Sequence, residues 1–191
     1  MGKSSSGKDS LYRELMNDQQ LGLKRIVPYT TRPLREGEQE GVEYHFVDEN
    51  RLRQLEEAGK IVELRAYDTV HGVWKYFTVC EDDMDLSKDS YAVIGTLQSW
   101  NAMCEYFGRD KMVPVYIEVE DGLRLERALS RERSQANPRY TELCRRFLAD
   151  TEDFSEDKLK EERITQRFQN VDFGTCLKEI KLFIQKEMLY N

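Results

Sequence analysis

The chain has 191 residues, enough for one domain of ordinary size with a buried core, and carries 29 Lys plus Arg against 36 Asp plus Glu for a formal net charge of −7. That acidic balance argues against bulk binding to a nucleic-acid backbone. No apolar run approaches the ~20 residues of a membrane span, and no signal peptide opens the chain, so a cytoplasmic protein without membrane or nucleic-acid partners is expected. In chain order, 8–20 reads as a helix with Leu11, Leu15 and Met16 as its apolar stripe, and 23–27 as a short strand ending at Pro28. A charged, glycine-containing loop over 29–42 leads to a strand at 43–47. Asp48 is placed to cap a helix over 49–58 that Gly59 stops. Strand composition at 61–67 and 74–79 flanks a turn containing Gly72, and 91–94 and 112–119 are further strands around a helix at 97–107. Beyond Asp121 the pattern is helical, broken at Asn137-Pro138 and resumed over 139–153. A charged segment at 157–162 precedes a closing helix at 173–188 with Phe173, Leu177, Ile180 and Ile184 on one stripe. Alternating short apolar runs and longer helical patterns give an α/β fold with a parallel sheet and flanking helices.

Cys80, Cys104, Cys144 and Cys176 are scattered without C-x-x-C spacing, and His45 and His71 are the chain's two histidines. A zinc site is disfavoured, and four reduced, mostly buried thiols are expected.

Two stretches carry chemistry. Gly2-Lys3-Ser4-Ser5-Ser6-Gly7-Lys8 fits G-x-x-x-x-G-K, followed by Asp9-Ser10 where the usual pattern has a Ser or Thr. In such a loop the glycines let backbone N–H groups curl around polyphosphate, the next helix points its positive end at the charge, and Lys8 reaches the terminal phosphates. Asp9 or Ser10 is then the metal-side ligand, since carboxylates suit Mg²⁺. A strand normally precedes such a loop, so the expectation is that about five apolar residues lie upstream and Met1 ends that strand.

The second stretch is Thr30-Thr31-Arg32-Pro33-Leu34-Arg35-Glu36-Gly37-Glu38, then Gly41-Val42-Glu43-Tyr44-His45-Phe46. Arg32 and Arg35 beside Tyr44 make a fork for a monophosphate, with Glu38 placed to orient an arginine. A phosphate loop, then TTR-x-x-R-x-GE-x-x-G-x-x-Y-x-F, then a strand with Glu63, resembles the guanylate kinase family over nearly the whole chain. The resemblance implies a P-loop kinase core of parallel strands (1–28 and 83–191), a small acceptor-binding lobe (29–82) and a helical lid (about 127–150) in a single domain. It implies transfer of the γ-phosphoryl of ATP to GMP with Mg²⁺, by a monomer or homodimer. ATP contacts are then expected from Gly2, Lys3, Ser4, Ser5, Ser6, Gly7, Lys8, Asp9, Ser10, Arg133 and Asn170. Acceptor contacts are expected from Arg32, Arg35, Glu38, Tyr44, Glu63, Trp74, Tyr76 and Thr96. Lys8, Arg32, Arg131 and Arg146 would act on the phosphoryl in flight. Glu63 matches the carboxylate that reads guanine, accepting from N1–H and the 2-amino group.

The departures gather in the acceptor pocket. Pro28 stands where the family has a serine, Ile94-Gly95-Thr96 replaces a D-x-D strand end, and Val73-Trp74-Lys75-Tyr76-Phe77-Thr78 replaces a Y-G-[ST] segment. Trp74 and Tyr76 compete for the role of that tyrosine. The alternatives left open are a kinase for a different monophosphate, and a guanylate-kinase-like module that binds nucleotide with little catalysis.

Overall fold

In the computed structural model, residues 1–35, 37–69 and 72–190 are described; Glu36 of the arginine-rich motif and His71 lie outside them. Helices and short strands alternate: α1 (Lys8–Met16), β1 (Lys24–Arg25), β2 (Tyr29–Thr30), β3 (His45–Phe46), α2 (Glu49–Glu57), β4 (Ile61–Thr69), β5 (Gly72–Val79) and β6 (Tyr91–Ala92). There follow α3 (Leu97–Phe107), a 3₁₀ turn at Arg109–Lys111, β7 (Tyr116–Glu118), α4 (Asp121–Arg133), α5 (Tyr140–Asp153), α6 (Glu156–Glu161), β8 (Arg167–Gln169) and α7 (Phe173–Tyr190). The fold is α/β, with parallel pairing in β1–β6, β2–β3 and β7–β8.

The chain divides into two compact units. One comprises Met1–Gly22, Ile94–Asn101 and the chain from Met112 onward; the other comprises Leu23–Val93 and Ala102–Lys111. In the first, β7 and β8 pair in the register Tyr116↔Arg167, Ile117↔Phe168 and Glu118↔Gln169. Met1 takes a strand position along β7: its carbonyl accepts from the Ile117 amide (2.9 Å) and its amino group donates to the Val115 carbonyl (2.7 Å). Burial, assisted by the Lys8 charge, pushes that amine down to about 5. Leu11, Leu15, Tyr116, Ile117, Phe168 and Ile180 are buried here.

In the second unit, β3-β2-β5-β4 form a four-stranded sheet in that order. Period-2 alternation sorts its faces. Phe77 and Val79 of β5 pack with Tyr29, Leu52 and Leu55 as the core, with Leu64 of β4 against them. Full burial of each such side chain contributes roughly 1.5–3 kcal/mol. The intervening residues Glu63, Arg65 and Tyr67 on β4 stand opposite Thr78, Tyr76 and Trp74 on β5, so these six polar and aromatic residues share the other face. Helix α2 begins as its sequence dictates, with the Asp48 carboxylate accepting from the Arg51 amide (2.7 Å), and ends at Gly59, whose φ of 67° suits glycine.

Several elements differ from the pattern reading. The helix expected over 8–20 stops at Met16, because the Asp18 carboxylate takes the Gln20 amide (2.9 Å) into a local turn. The strands expected at 23–27 and 112–119 shrink to Lys24–Arg25 and Tyr116–Glu118; Pro28 and Pro114 have no N–H to give a ladder. Tyr29–Thr30, in the stretch expected as loop, is an inner strand, fixed by pairing with β3 on one side and β5 on the other. None of the four cysteines is in a disulfide; Cys104 and Cys176 are buried, Cys80 is half-buried and Cys144 is exposed on α5, so the thiols are not mostly buried.

Candidate active site

Residues 2–7 form a tight loop that opens α1. Gly2 sits at φ 154°, and a Cβ there would lie 2.6 Å from the Ile117 carbonyl oxygen. Gly7 sits at φ 82° as the residue before the helix, and a Cβ there would collide with Asn170 Nδ2. Only glycine fits both positions. Ser5 also adopts a left-handed φ of 63°, a conformation that costs a non-glycine residue about 1–2 kcal/mol. The strain is offset by specific ties. Ser6 donates its amide to Lys3 O (3.2 Å), Asn170 donates Nδ2 to Ser6 O (2.7 Å), and the Asp150 carboxylate accepts from the Ser4 amide (2.8 Å). Fully buried Arg124 joins this set, reaching Asp150 (3.3 Å), Ser4 O (3.4 Å) and Asp121 (3.0 Å), with its guanidinium 4.0 Å from the Phe147 ring centroid. Three polar atoms at this loop, Ser5 Oγ, Ser6 Oγ and Asn170 Oδ1, are buried without a hydrogen-bond partner among the described residues. Native proteins leave few such atoms, and a cluster of them marks a place shaped for a ligand. The helix N-terminus adds unpaired first-turn amides and a positive field.

The second unit carries a different kind of site. Arg32, 3% exposed, is clamped by Glu38 through Nη1–Oε2 (2.7 Å) and Nη2–Oε1 (2.6 Å) and caps its own loop through Nη1 to Pro33 O (3.0 Å). The Glu38 hydrogen bond holds the Arg32 pKa above its ordinary value, against burial, and Arg32 holds the Glu38 carboxyl below its own. Arg32 lies 5.1 Å from the Tyr44 ring centroid and 5.2 Å from that of Phe46, while its Nε is buried without a hydrogen-bond partner among the described residues. Tyr44 meets Tyr76 edge to face at 5.6 Å, and burial raises the Tyr44 pKa. Arg35 lies over the Trp74 ring at 5.6 Å, and its amide donates to Glu38 Oε2 (2.9 Å). The sequence left Trp74 and Tyr76 as competitors. The hairpin register puts both on one face, Tyr76 beside Tyr44 near Arg32, Trp74 beside Arg35.

Two strand positions further on the same face, Glu63 is buried. Its Oε1 accepts from Thr78 Oγ1 (2.9 Å) and from Arg65 Nη2 (3.2 Å), its Oε2 from Arg65 Nε (2.9 Å). Burial opposes the charge on Arg65, yet Glu63 beside it raises the guanidinium pKa. Arg65 is a partner the sequence reading missed, as is the part Thr78 plays; the signal was the period-2 spacing of 63, 65 and 67 against 74, 76 and 78.

The guanylate kinase family model matches residues 1–77. The guanylate kinase of Chromohalobacter salexigens is 41% identical over 70 residues, 36% of this chain and 32% of the relative, so this match spans about a third of the relative's length. The guanylate kinase of Wolbachia sp. subsp. Brugia malayi is 28% identical over 193 residues, covering 97% of this chain and 90% of the relative. The crystal structure of guanylate kinase from Anaplasma phagocytophilum superposes with a TM-score of 0.63 at 23% identity, over 97% of this chain and 83% of that one, and shares the fold. Residues 1–77 are thus similar to the guanylate kinase family, and the chain as a whole has the fold of a guanylate kinase.

Within this guanylate kinase fold, some expected site residues make other contacts. Thr96 caps α3: its amide donates to Ser99 Oγ (2.8 Å) and its Oγ1 accepts from the Ser99 amide (3.2 Å). Asn170 is 3% exposed and its amide nitrogen holds the glycine-rich loop through Ser6 O. Arg131 and Arg133 are exposed at the end of α4, and Arg146, on α5, lies 3.5 Å from Glu142. Lys3 pairs with Asp121 (3.3 Å). Lys8 Nζ lies 3.6 Å from Asp9 Oδ2, and the Asp9 and Ser10 side chains are exposed. No cluster of three metal-ligating side chains exists among the described residues. Nor is any described helix long and apolar enough to cross a membrane. Arg124 and Asp150 were missed because a single charged residue on an amphipathic helix gives no hint of burial.

Proposed function

We propose that this protein transfers the γ-phosphoryl of ATP to GMP, giving ADP and GDP. The phosphate loop would hold the ATP polyphosphate through backbone amides, with Lys8 on the terminal phosphates and the buried hydroxyls of Ser5 and Ser6 turned to the ligand. The acceptor monophosphate would lie against Arg32, Arg35, Tyr44 and Tyr76. Arg32 Nε, buried without a hydrogen-bond partner among the described residues, is the observation that carries the reading: a buried donor left so costs about 1–3 kcal/mol, and a phosphate oxygen would remove that cost. Glu38 fixes Arg32 beforehand, so little reorganisation is left for the moment of binding. Glu63 would read guanine through N1–H and the 2-amino group, with Thr78 holding the carboxylate. In adenine it would meet the lone pair of N1 and lose the pairing.

The residues present fit a divalent ion. Mg²⁺ takes one or two carboxylates and completes its shell with water and substrate phosphate, and Asp9 offers an exposed carboxylate beside Lys8, with the Ser10 hydroxyl next to it. When bound there, Mg²⁺ would neutralise phosphate charge. Arg131, Arg133 and Arg146, on the helical segment 127–150, would add positive charge to the equatorial phosphoryl oxygens. The exposure of Arg131 and Arg133 suits residues that engage only with substrate present. The test is ADP release in a coupled assay with ATP and Mg²⁺ against GMP, dGMP, AMP, CMP and UMP. Turnover on GMP in preference to the others is expected. A folded protein that binds ATP and turns over none of them would instead be a nucleotide-binding module.

A further inference from the structure

Both oxygens of Glu63 are already engaged. An ionised carboxylate offers about four lone-pair directions, two of them facing the same way across the O–C–O fork. Arg65 fills that fork side-on, Nε to Oε2 at 2.9 Å and Nη2 to Oε1 at 3.2 Å, while Thr78 takes a further direction on Oε1 at 2.9 Å. What remains accepts one hydrogen bond, not a parallel pair. The edge Arg65 presents is an N–C–N unit with two parallel N–H donors. The edge guanine presents through N1–H and the 2-amino group is the same unit. The pair is buried, the Glu63 side chain 3% and Arg65 16% exposed, so water does little to weaken it.

We propose that Arg65 is a built-in mimic of the guanine edge and a specificity-determining residue: it occupies the base-reading carboxylate in the free protein, and a guanine nucleotide binds only when the guanidinium leaves. This inference rests on the reading that Glu63 recognises guanine. Tyr67 stands two positions along the same strand face and is exposed, so a turn about the arginine side-chain torsions carries the guanidinium toward its hydroxyl and toward solvent while Glu63 is released. The consequence is an acceptor affinity reduced by the fraction of molecules in which Arg65 has moved aside. Bases without two adjacent donors gain nothing from displacing it, so Arg65 raises the threshold for every acceptor and only the matching edge repays the exchange.

The experiment is a double-mutant cycle on the full chain, with GMP and AMP binding measured by calorimetry and thermal melting run alongside. If the competent fraction is on the order of a tenth, Arg65→Ala binds GMP about tenfold more tightly. Arg65→Lys keeps the charge but lacks the fork; it is expected to gain in the same direction and serves if the alanine variant does not fold. Millimolar guanidinium should weaken GMP binding to Arg65→Ala again, which a merely structural role would not produce. In a Glu63→Gln background the gain should vanish. Unchanged or weaker GMP binding in both Arg65 variants, with Glu63→Gln still losing the preference for GMP over AMP, overturns the mimic and leaves the guanine reading standing. A Glu63→Gln variant that keeps its GMP preference overturns the guanine reading itself.

Discussion

The glycine-rich loop before α1 and the Arg32 face of the sheet, for which phosphate binding is proposed, are built by opposite means. The loop is a backbone device: left-handed φ values at Gly7 and Ser5, a close approach at Gly2, and carbonyls and amides tied by Asn170 and Asp150. The acceptor face is a side-chain device, in which Glu38 locks Arg32, Trp74 flanks Arg35, and Tyr44 and Tyr76 line the sheet. A backbone device fails when a Cβ is added. A side-chain device fails when one member of a pair is removed, because the other is left buried and charged.

The sharpest break in that comparison is Lys8→Ala. It should lower turnover at least about 10²-fold, as loss of one preorganised electrostatic contact does, without moving the melting temperature. Turnover within a few-fold of the parent would remove Lys8 from the donor site. On the acceptor side the damage should reach the fold itself. Glu38→Ala leaves Arg32 buried and unpaired and should destabilise the protein by about 2–4 kcal/mol in denaturant melts, towards the lower side of a broken buried pair because Glu38 is partly exposed. The sign of its pH dependence is fixed. The folded-state pKa of Glu38 is depressed, so its stabilisation is present above the unfolded carboxyl pKa of 4.5 and is lost as pH falls through the lower folded value. Glu38→Gln should flatten that acid limb in a pH series of melts.

Arg35→Ala should weaken GMP binding by about 1.5–3 kcal/mol, the range for hydrogen bonds to a charged group. Trp74→Ala should cost less, about 0.5–1 kcal/mol, if its part is to hold the Arg35 guanidinium at an exposed site. Equal losses in the two would make Trp74 a direct ligand. The smallest effect is Thr96→Ala. Loss of a helix cap costs about 1 kcal/mol of stability, and KM for GMP should stay unchanged; a raised KM would return Thr96 to the acceptor site.

Thr78 and Arg65 show where pattern reading stopped. Each carries its meaning only through the hairpin register, which pairs Glu63 with Thr78 and Arg65 with Tyr76. A bulge between Ile61 and Glu63 shifts the β4–β5 register there, and no local pattern announces it. Tyr29–Thr30 is similar: two residues are too few for a periodicity, yet pairing on both sides makes them an inner strand.

By itself the sequence determined the α/β class, the glycine-rich loop that opens α1 and a glutamate placed to orient an arginine. These depend on short-range rules, namely glycine at positions that exclude a Cβ, a helix opened at its N-terminus, and a glutamate six residues from its arginine. Only the tertiary structure decided which long-range partners fill the same groups. Asp150 and Arg124 brace the glycine-rich loop from more than a hundred residues away, and Arg65 occupies the Glu63 carboxylate. The physical reason is that a charged side chain is indifferent to its sequence neighbours once buried. It must find a partner wherever the packed chain puts one.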